Sequence, residues 1–101
     1  MANTLHDKIA NKLAAKFGAE YHTDKGVDIK TPTKAIEVES REEAFGEAKQ
    51  QLAGTTRVPY IAVPTKLQYI ARDYFDGSRI GVMNQNGRII KRGRRRILLP
   101  S

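Results

Sequence analysis

The sequence predicts an α/β domain: a mixed β-sheet flanked by helices on both sides, in the order α-β-β-β-α-β-α-β-β. Three observations predict it. Two segments, residues 27–30 and 35–40, alternate apolar with mostly charged side chains, as half-buried strands do. Residues 58–63 form a nearly continuous apolar run, the pattern of a strand covered on both faces. Around these lie segments whose apolar residues recur with the period of a helix.

Residues 4–17 open the chain as a helix, because Leu5, Ile9, Leu13 and Phe17 recur every fourth position with Ala10 and Ala14 beside them. Thr4 or Asn3 caps its start and Gly18 its end. An extended stretch over 19–23 and a turn at Asp24-Lys25-Gly26 lead into the first alternating strand. The loop Thr31-Pro32-Thr33-Lys34, where proline fixes φ, returns the chain into the second strand as a hairpin. Residues 41–53 form a second helix with Ser40 as cap, Glu43 three residues later, and a stripe of Ala44, Phe45, Ala48 and Leu52; Gly54 stops it. The 58–63 strand, expected at the centre of the sheet, is followed by a third helix. Thr65 caps that helix, its face is Leu67, Ile70, Ala71, Tyr74 and Phe75, and Asp76-Gly77 ends it. Strands over 79–83 and 88–91 close the domain around Asn86-Gly87, a strong hairpin signal.

The 101 residues suffice for one domain with a modest core. No repeat or linker divides them, and residues 88–101 read as a basic segment of that single domain. The absence of cysteine excludes disulfides and thiolate metal sites, and points to a reduced, cytoplasmic compartment. No apolar run approaches the roughly 18 residues that suggest a membrane span, so no membrane partner is expected. The N-terminus lacks the apolar core of a signal peptide. A net charge of +7 favours a polyanionic partner, since neutralising phosphates releases condensed counterions. Much of it is local: Arg88, Lys91, Arg92, Arg94, Arg95 and Arg96 crowd the last fourteen residues.

The chemistry lies in the acids of the alternating strands. Glu37 and Glu39 share one face of their strand, about 7 Å apart by the rise per residue, while Ile36 and Val38 take the core face. Asp28 stands between Val27 and Ile29 in the same way. Paired through the Pro32 turn, the strands bring all three acids to one face, pointing away from the core. Like charges so close repel, and acids are poor strand formers. A divalent cation reverses the sign: Mg²⁺ takes one or two carboxylates together with water and phosphate. The bland alternative is a solvated strand face balanced by Lys30, Lys34 and Arg41.

Asp28, then eight residues, then Ile36-Glu37-Val38-Glu39-Ser40, set in α-β-β-β-α-β order over about residues 4–63, resembles the PD-(D/E)XK nuclease superfamily, the restriction-endonuclease-like fold. In length and layout the chain is most similar to small archaeal or viral Holliday junction resolvases. The resemblance implies a Mg²⁺- or Mn²⁺-dependent DNA endonuclease with Asp28 and Glu37 as metal ligands and no organic cofactor. If the source is viral, the compartment is the host cytoplasm. Glu39 stands where the family usually has lysine; it can act as general base or metal ligand but supplies no positive charge. Lys49, beside the apolar stripe of the second helix, is the first candidate for that charge, and Lys30 its rival. Gln51 borders the stripe on the other side and Gln50 is a further option, since the family often places a polar residue of this helix near the metal. The acid that the family frequently carries on its first helix has Asp7 as its best substitute here and Glu20 as a poorer one. His6 and His22 form no recognisable metal pair and read as surface residues.

Lys30, Arg88, Lys91, Arg92, Arg94, Arg95 and Arg96 are then the expected contacts to the DNA backbone, which position without reading sequence. Resolvase-like enzymes act as symmetric dimers, so the resemblance implies a homodimer and a structure-selective cut. The alternative is a catalytically inactive nucleic-acid-binding module on the same fold. Against it, a pure binder gains by losing negative charge beside DNA. A second alternative, a structural or protein-interaction domain, has the apolar ending Ile97-Leu98-Leu99-Pro100 in its favour.

Overall fold

In the computed structural model, which describes residues 4–22 and 26–94, helix α1 (Leu5–Phe17) is closed as its sequence requires. The Thr4 hydroxyl accepts from the Asp7 amide at 3.1 Å, and Gly18 ends the helix at φ 63°, a left-handed conformation that suits glycine. Its buried side is Ile9, Ala10, Leu13 and Ala14, whereas Leu5 is 44% exposed. The first turn of that side is taken instead by His6, four residues before Ala10 and seven before Leu13. Asn3, residues 23–25, Arg95, Arg96 and the ending Ile97-Leu98-Leu99-Pro100, on which parts of the sequence reading fall, lie outside the described residues.

Five strands lie side by side in chain order: β1 (Ile29–Lys30), β2 (Lys34–Val38), β3 (Val58–Val63), β4 (Gly81–Asn84) and β5 (Ile89–Lys91). The two outer pairs are antiparallel and the two inner pairs parallel, so the sheet is mixed and β3 is central, as expected. Helices α2 (Phe45–Leu52) and α3 (Gln68–Tyr74) make the crossovers between the parallel strands. Alternation along the strands sorts their side chains into two cores. Ile36, Val38, Tyr60, Ala62 and Met83 pack with α1, while Ala35, Ile61, Val63 and Val82 pack with α2 and α3. Helices thus cover both faces.

Several elements depart from expectation. Of the expected stretch over 19–23, the described residues 19–22 contribute no strand; Tyr21 alone bridges Ile29, and the order among the described residues is α-β-β-α-β-α-β-β. The second helix begins as a 3-10 turn, Glu42–Ala44, and Ser40 does not cap it: Arg41 precedes the turn without a side-chain bond. Thr65 likewise starts a 3-10 turn, Thr65–Leu67, that no side chain caps. On the third helix Ala71 and Phe75 are buried as expected, but Ile70 and Tyr74 are exposed. No helix among the described residues is long and apolar enough to cross a membrane.

Candidate active site

The three acids meet where the β1–β2 ladder stops. Antiparallel pairing of Ile29 with Ile36 brings Asp28 opposite Glu37. At that point side chains replace backbone carbonyls as acceptors. The Asp28 amide donates to Glu37 Oε1 at 3.1 Å, and the Val38 amide donates to Asp28 Oδ2 at 2.9 Å. This substitution explains why β1 has two residues although the alternating pattern covers four. Glu39 stays beside the same edge, its amide donating to the Ala62 carbonyl at 3.0 Å. The carboxyl ends of β2, β3 and β4 lie on this edge, where ligands of open α/β sheets gather.

The expectation that Glu37 and Glu39 point away from the core needs correction. With helices on both faces β2 has no solvent side, and Glu37 is only 7% exposed. Burial pushes its carboxyl up to about 8, and the neighbouring Asp28 charge adds to the rise. Burial also raises Glu39, to about 7, with repulsion from Asp28 and Glu47 opposed by attraction to His6 and Arg41. Glu47, on α2, is therefore a fourth acid within electrostatic reach.

His6 is the residue that the sequence reading missed. Its Nε2 lies 3.2 Å from Asp28 Oδ2, and its Nδ1 lies 3.1 Å from the Tyr21 hydroxyl. That hydroxyl donates to Asp7 Oδ1 at 2.8 Å. The hydrogen bond to Asp28 raises the imidazole to about 9 against the opposing effect of burial, so both ring nitrogens carry protons at neutral pH. Every partner in the chain Asp28–His6–Tyr21–Asp7 is then satisfied. The Tyr21 bond in turn lowers Asp7, while burial and the Asp7 bond raise Tyr21. A signal was present: His6 lies within the apolar arc of α1, where a surface histidine does not belong.

The other residues singled out from sequence divide. Asp7 joins the cluster through His6 and Tyr21 rather than directly. Lys30 and Gln51 line one surface groove of about 340 Å³ with Gly26, Val27 and Arg57; it borders Asp28 in sequence but includes none of the three acids. Lys49 is on the other border of α2, beside Ser78, Arg79 and Ile80, and is not brought to the acids. Arg88 leaves the β4–β5 turn at the carboxyl edge, its amide donating to Asn84 Oδ1. Lys91, Arg92 and Arg94 lie toward the opposite end: Lys91 pairs with Val82 and the Arg94 amide donates to the Ser78 carbonyl. Lys91 also donates to the Ile80 carbonyl at 3.0 Å, and burial lowers its ammonium.

Three carboxylates are hard oxygen donors of the kind Mg²⁺ and Mn²⁺ take, and their mutual crowding is relieved by a cation. Among the described residues, however, no group of three His, Asp or Glu side chains is arranged so that it could hold a metal ion. The chemistry that fits is the smaller set Mg²⁺ asks of a protein, one or two carboxylates completed by water and phosphate. Asp28 and Glu37, opposite one another, are the two acids placed to supply such a set. Comparisons of the chain with family models, with curated proteins and with solved structures each find no match.

Proposed function

We propose that this chain is a metal-dependent DNA endonuclease, with Asp28 and Glu37 holding a Mg²⁺ or Mn²⁺ ion and Glu39 beside them as proton acceptor or further ligand. The observation that carries the reading is the crowding of three carboxylates at a ladder end, one of them almost fully buried. A fold gains nothing from that repulsion, and a divalent cation converts it into binding energy. When bound, such an ion lowers the pKa of its water and polarises a phosphoryl oxygen.

The chain's own residues supply the rest. Glu39, raised to about 7, is poised to accept a proton from water near neutral pH. His6 brings positive charge to the side where the usual lysine is missing, and through Tyr21 and Asp7 its ring is fixed in orientation. Homodimer formation and selectivity for branched DNA belong to the same proposal, from the resemblance to junction resolvases.

The test is cleavage of labelled duplex, single-stranded, flap, nicked and four-way-junction DNA with Mg²⁺ or Mn²⁺, alongside Glu37→Ala. Cutting by the parent chain and none by the variant is expected. Equal cutting by both, or none by either, sinks the proposal. One observation favours a second reading, a metal-free nucleic-acid-binding module: protonated His6 already serves Asp28 as a cation. Calorimetric titration with Mg²⁺ and Mn²⁺ separates the two, since the nuclease reading requires heat of binding that Asp28→Asn removes.

A further inference from the structure

A second crowding of like charge lies at the far end of α1. The Lys12 ammonium donates to Asn86 Oδ1, and the Lys16 ammonium donates to the Asn86 carbonyl at 3.1 Å. Two cations thus converge on one neutral residue. Among the described residues, the one Lys or Arg within 4.0 Å of a carboxylate is Arg72, beside Asp73, so neither ammonium has a counterion there. The turn they grip is well held: Asn84 Oδ1 accepts from the amides of Asn86 and Arg88, and Asn84 is buried. Gly87, at φ 81°, lets the Lys16 stem cross over the turn. A Cβ there would come within 2.9 Å of Lys16 Cδ and Cε.

Lys8 continues the row. Lys8, Lys12 and Lys16 follow at four-residue intervals on one flank of α1, each about 6 Å further along the axis. The row runs from the His6 turn, beside Asp28, to the Asn86 turn at the β4–β5 end of the sheet. Arg88 leaves that same turn, whereas Lys91, Arg92 and Arg94 lead away from it.

We propose that Lys8, Lys12 and Lys16, anchored on the Asn86 turn, hold the phosphodiester backbone of a nucleic acid along the carboxyl edge of the sheet, leading it to the acids at β1–β2. A phosphate oxygen between two ammonium groups turns their repulsion into attraction, and each neutralised phosphate releases counterions. The grip deepens the nuclease reading and rests on it only for what happens at the acids. It operates without metal.

The experiment follows binding of labelled duplex DNA and duplex RNA to the full chain by fluorescence anisotropy, in EDTA, over a range of salt. Lys12→Gln with Lys16→Gln reduces the steepness with which log K falls against log salt by about 2, and adding Lys8→Gln reduces it by about 3 in all, at about 0.9 per lost contact on B-DNA. Replacing Lys12 and Lys16 by arginine restores it. Arg57→Gln, at the amino end of β3 and so at the opposite edge of the sheet, leaves it unchanged. The duplex on which the slope falls identifies the strand that is held. The proposal is overturned if the triple glutamine variant, melting like the parent chain, keeps the parent slope on both duplexes. No binding of either duplex by the parent chain overturns it too. Cleavage with Mg²⁺ is scored separately: a chain that loses slope as described but never cuts retains the grip and loses the nuclease reading.

Discussion

The two ends of the sheet's carboxyl edge hold like charges together by opposite means. At the β1–β2 end the acids are sunk between helices, with Glu37 and Asp28 each fixed by a backbone amide and Glu37 pushed toward protonation. At the β4–β5 end Lys12 and Lys16 stay exposed, reaching one turn residue on long, solvated stems. Burial makes the first arrangement rigid and costly, which suits a compact ion needing defined oxygen positions. Exposure makes the second cheap and adaptable, which suits an extended polyanion. On the proposed reading the difference separates chemistry from grip: one end fixes atoms and the other holds charge.

The largest effect is expected at the rigid end. Glu39→Gln keeps shape but removes the proton acceptor, and should slow single-turnover DNA cleavage by about 10²–10⁴-fold; a rate within a few-fold of the parent would leave Glu39 without a catalytic part. Next comes the lysine end, where charge removal should weaken binding and flatten its salt dependence while leaving the melting temperature unchanged. The same lysine substitutions set against Glu37→Gln make a direct contrast, since Glu37→Gln should leave the salt slope intact.

Smaller shifts concern the fold itself. Glu37→Gln should stabilise the metal-free chain at neutral pH by about 1 kcal/mol, about 4–8 °C in melting temperature for a domain of this size, because it removes a buried acid that must take up a proton to fold. An unchanged or lower melting temperature would show that the crowding is harmless. The parent chain in EDTA should also lose stability as pH rises. Between 4.5 and about 8 the folded Glu37 binds a proton that the unfolded one releases, and between 6.5 and about 9 His6 does the same. Both groups therefore favour the folded state at low pH and lose that contribution as pH climbs through their raised values. Thermal melts from pH 5 to 9 check the sign, and Glu37→Gln should flatten the lower part of the curve. Gly87→Ala has an effect of similar size and opposite sign, about 1 kcal/mol lost through its positive φ, read as a melting temperature lower by about 4–8 °C.

Legibility in the sequence followed the range of the forces involved. The β3 run and the Asn86-Gly87 hairpin were readable because an apolar run and a turn dipeptide act locally. Thr4 and Gly18 were readable for the same reason. The pairing of Asp28 with Glu37 followed from the length of the Pro32 hairpin. Burial of Glu37 was not readable, since it depends on α2 and α3 covering the face that alternation alone leaves to water. The choice between Lys49 and Gln51 was equally hidden. It is set by how α2 rolls to bury Phe45, Ala48 and Leu52, which turns Lys49 toward Ile80 and Gln51 toward Val27. His6 was half legible: its place in the apolar arc was visible, but its partner Asp28 is distant in sequence.

The end of the β1–β2 ladder has a consequence for how occupancy of the site can be observed. The amide protons of Asp28 and Val38 rest on carboxylate oxygens that any ligand at the site must share or take. Their NMR shifts and hydrogen-exchange rates are therefore a built-in reporter, wired to the acids rather than to the sheet. An ion that draws Glu37 Oε1 or Asp28 Oδ2 away frees these two amides and leaves the Ile29–Ile36 pairing unchanged, so the backbone itself registers binding before any bond in a substrate is broken.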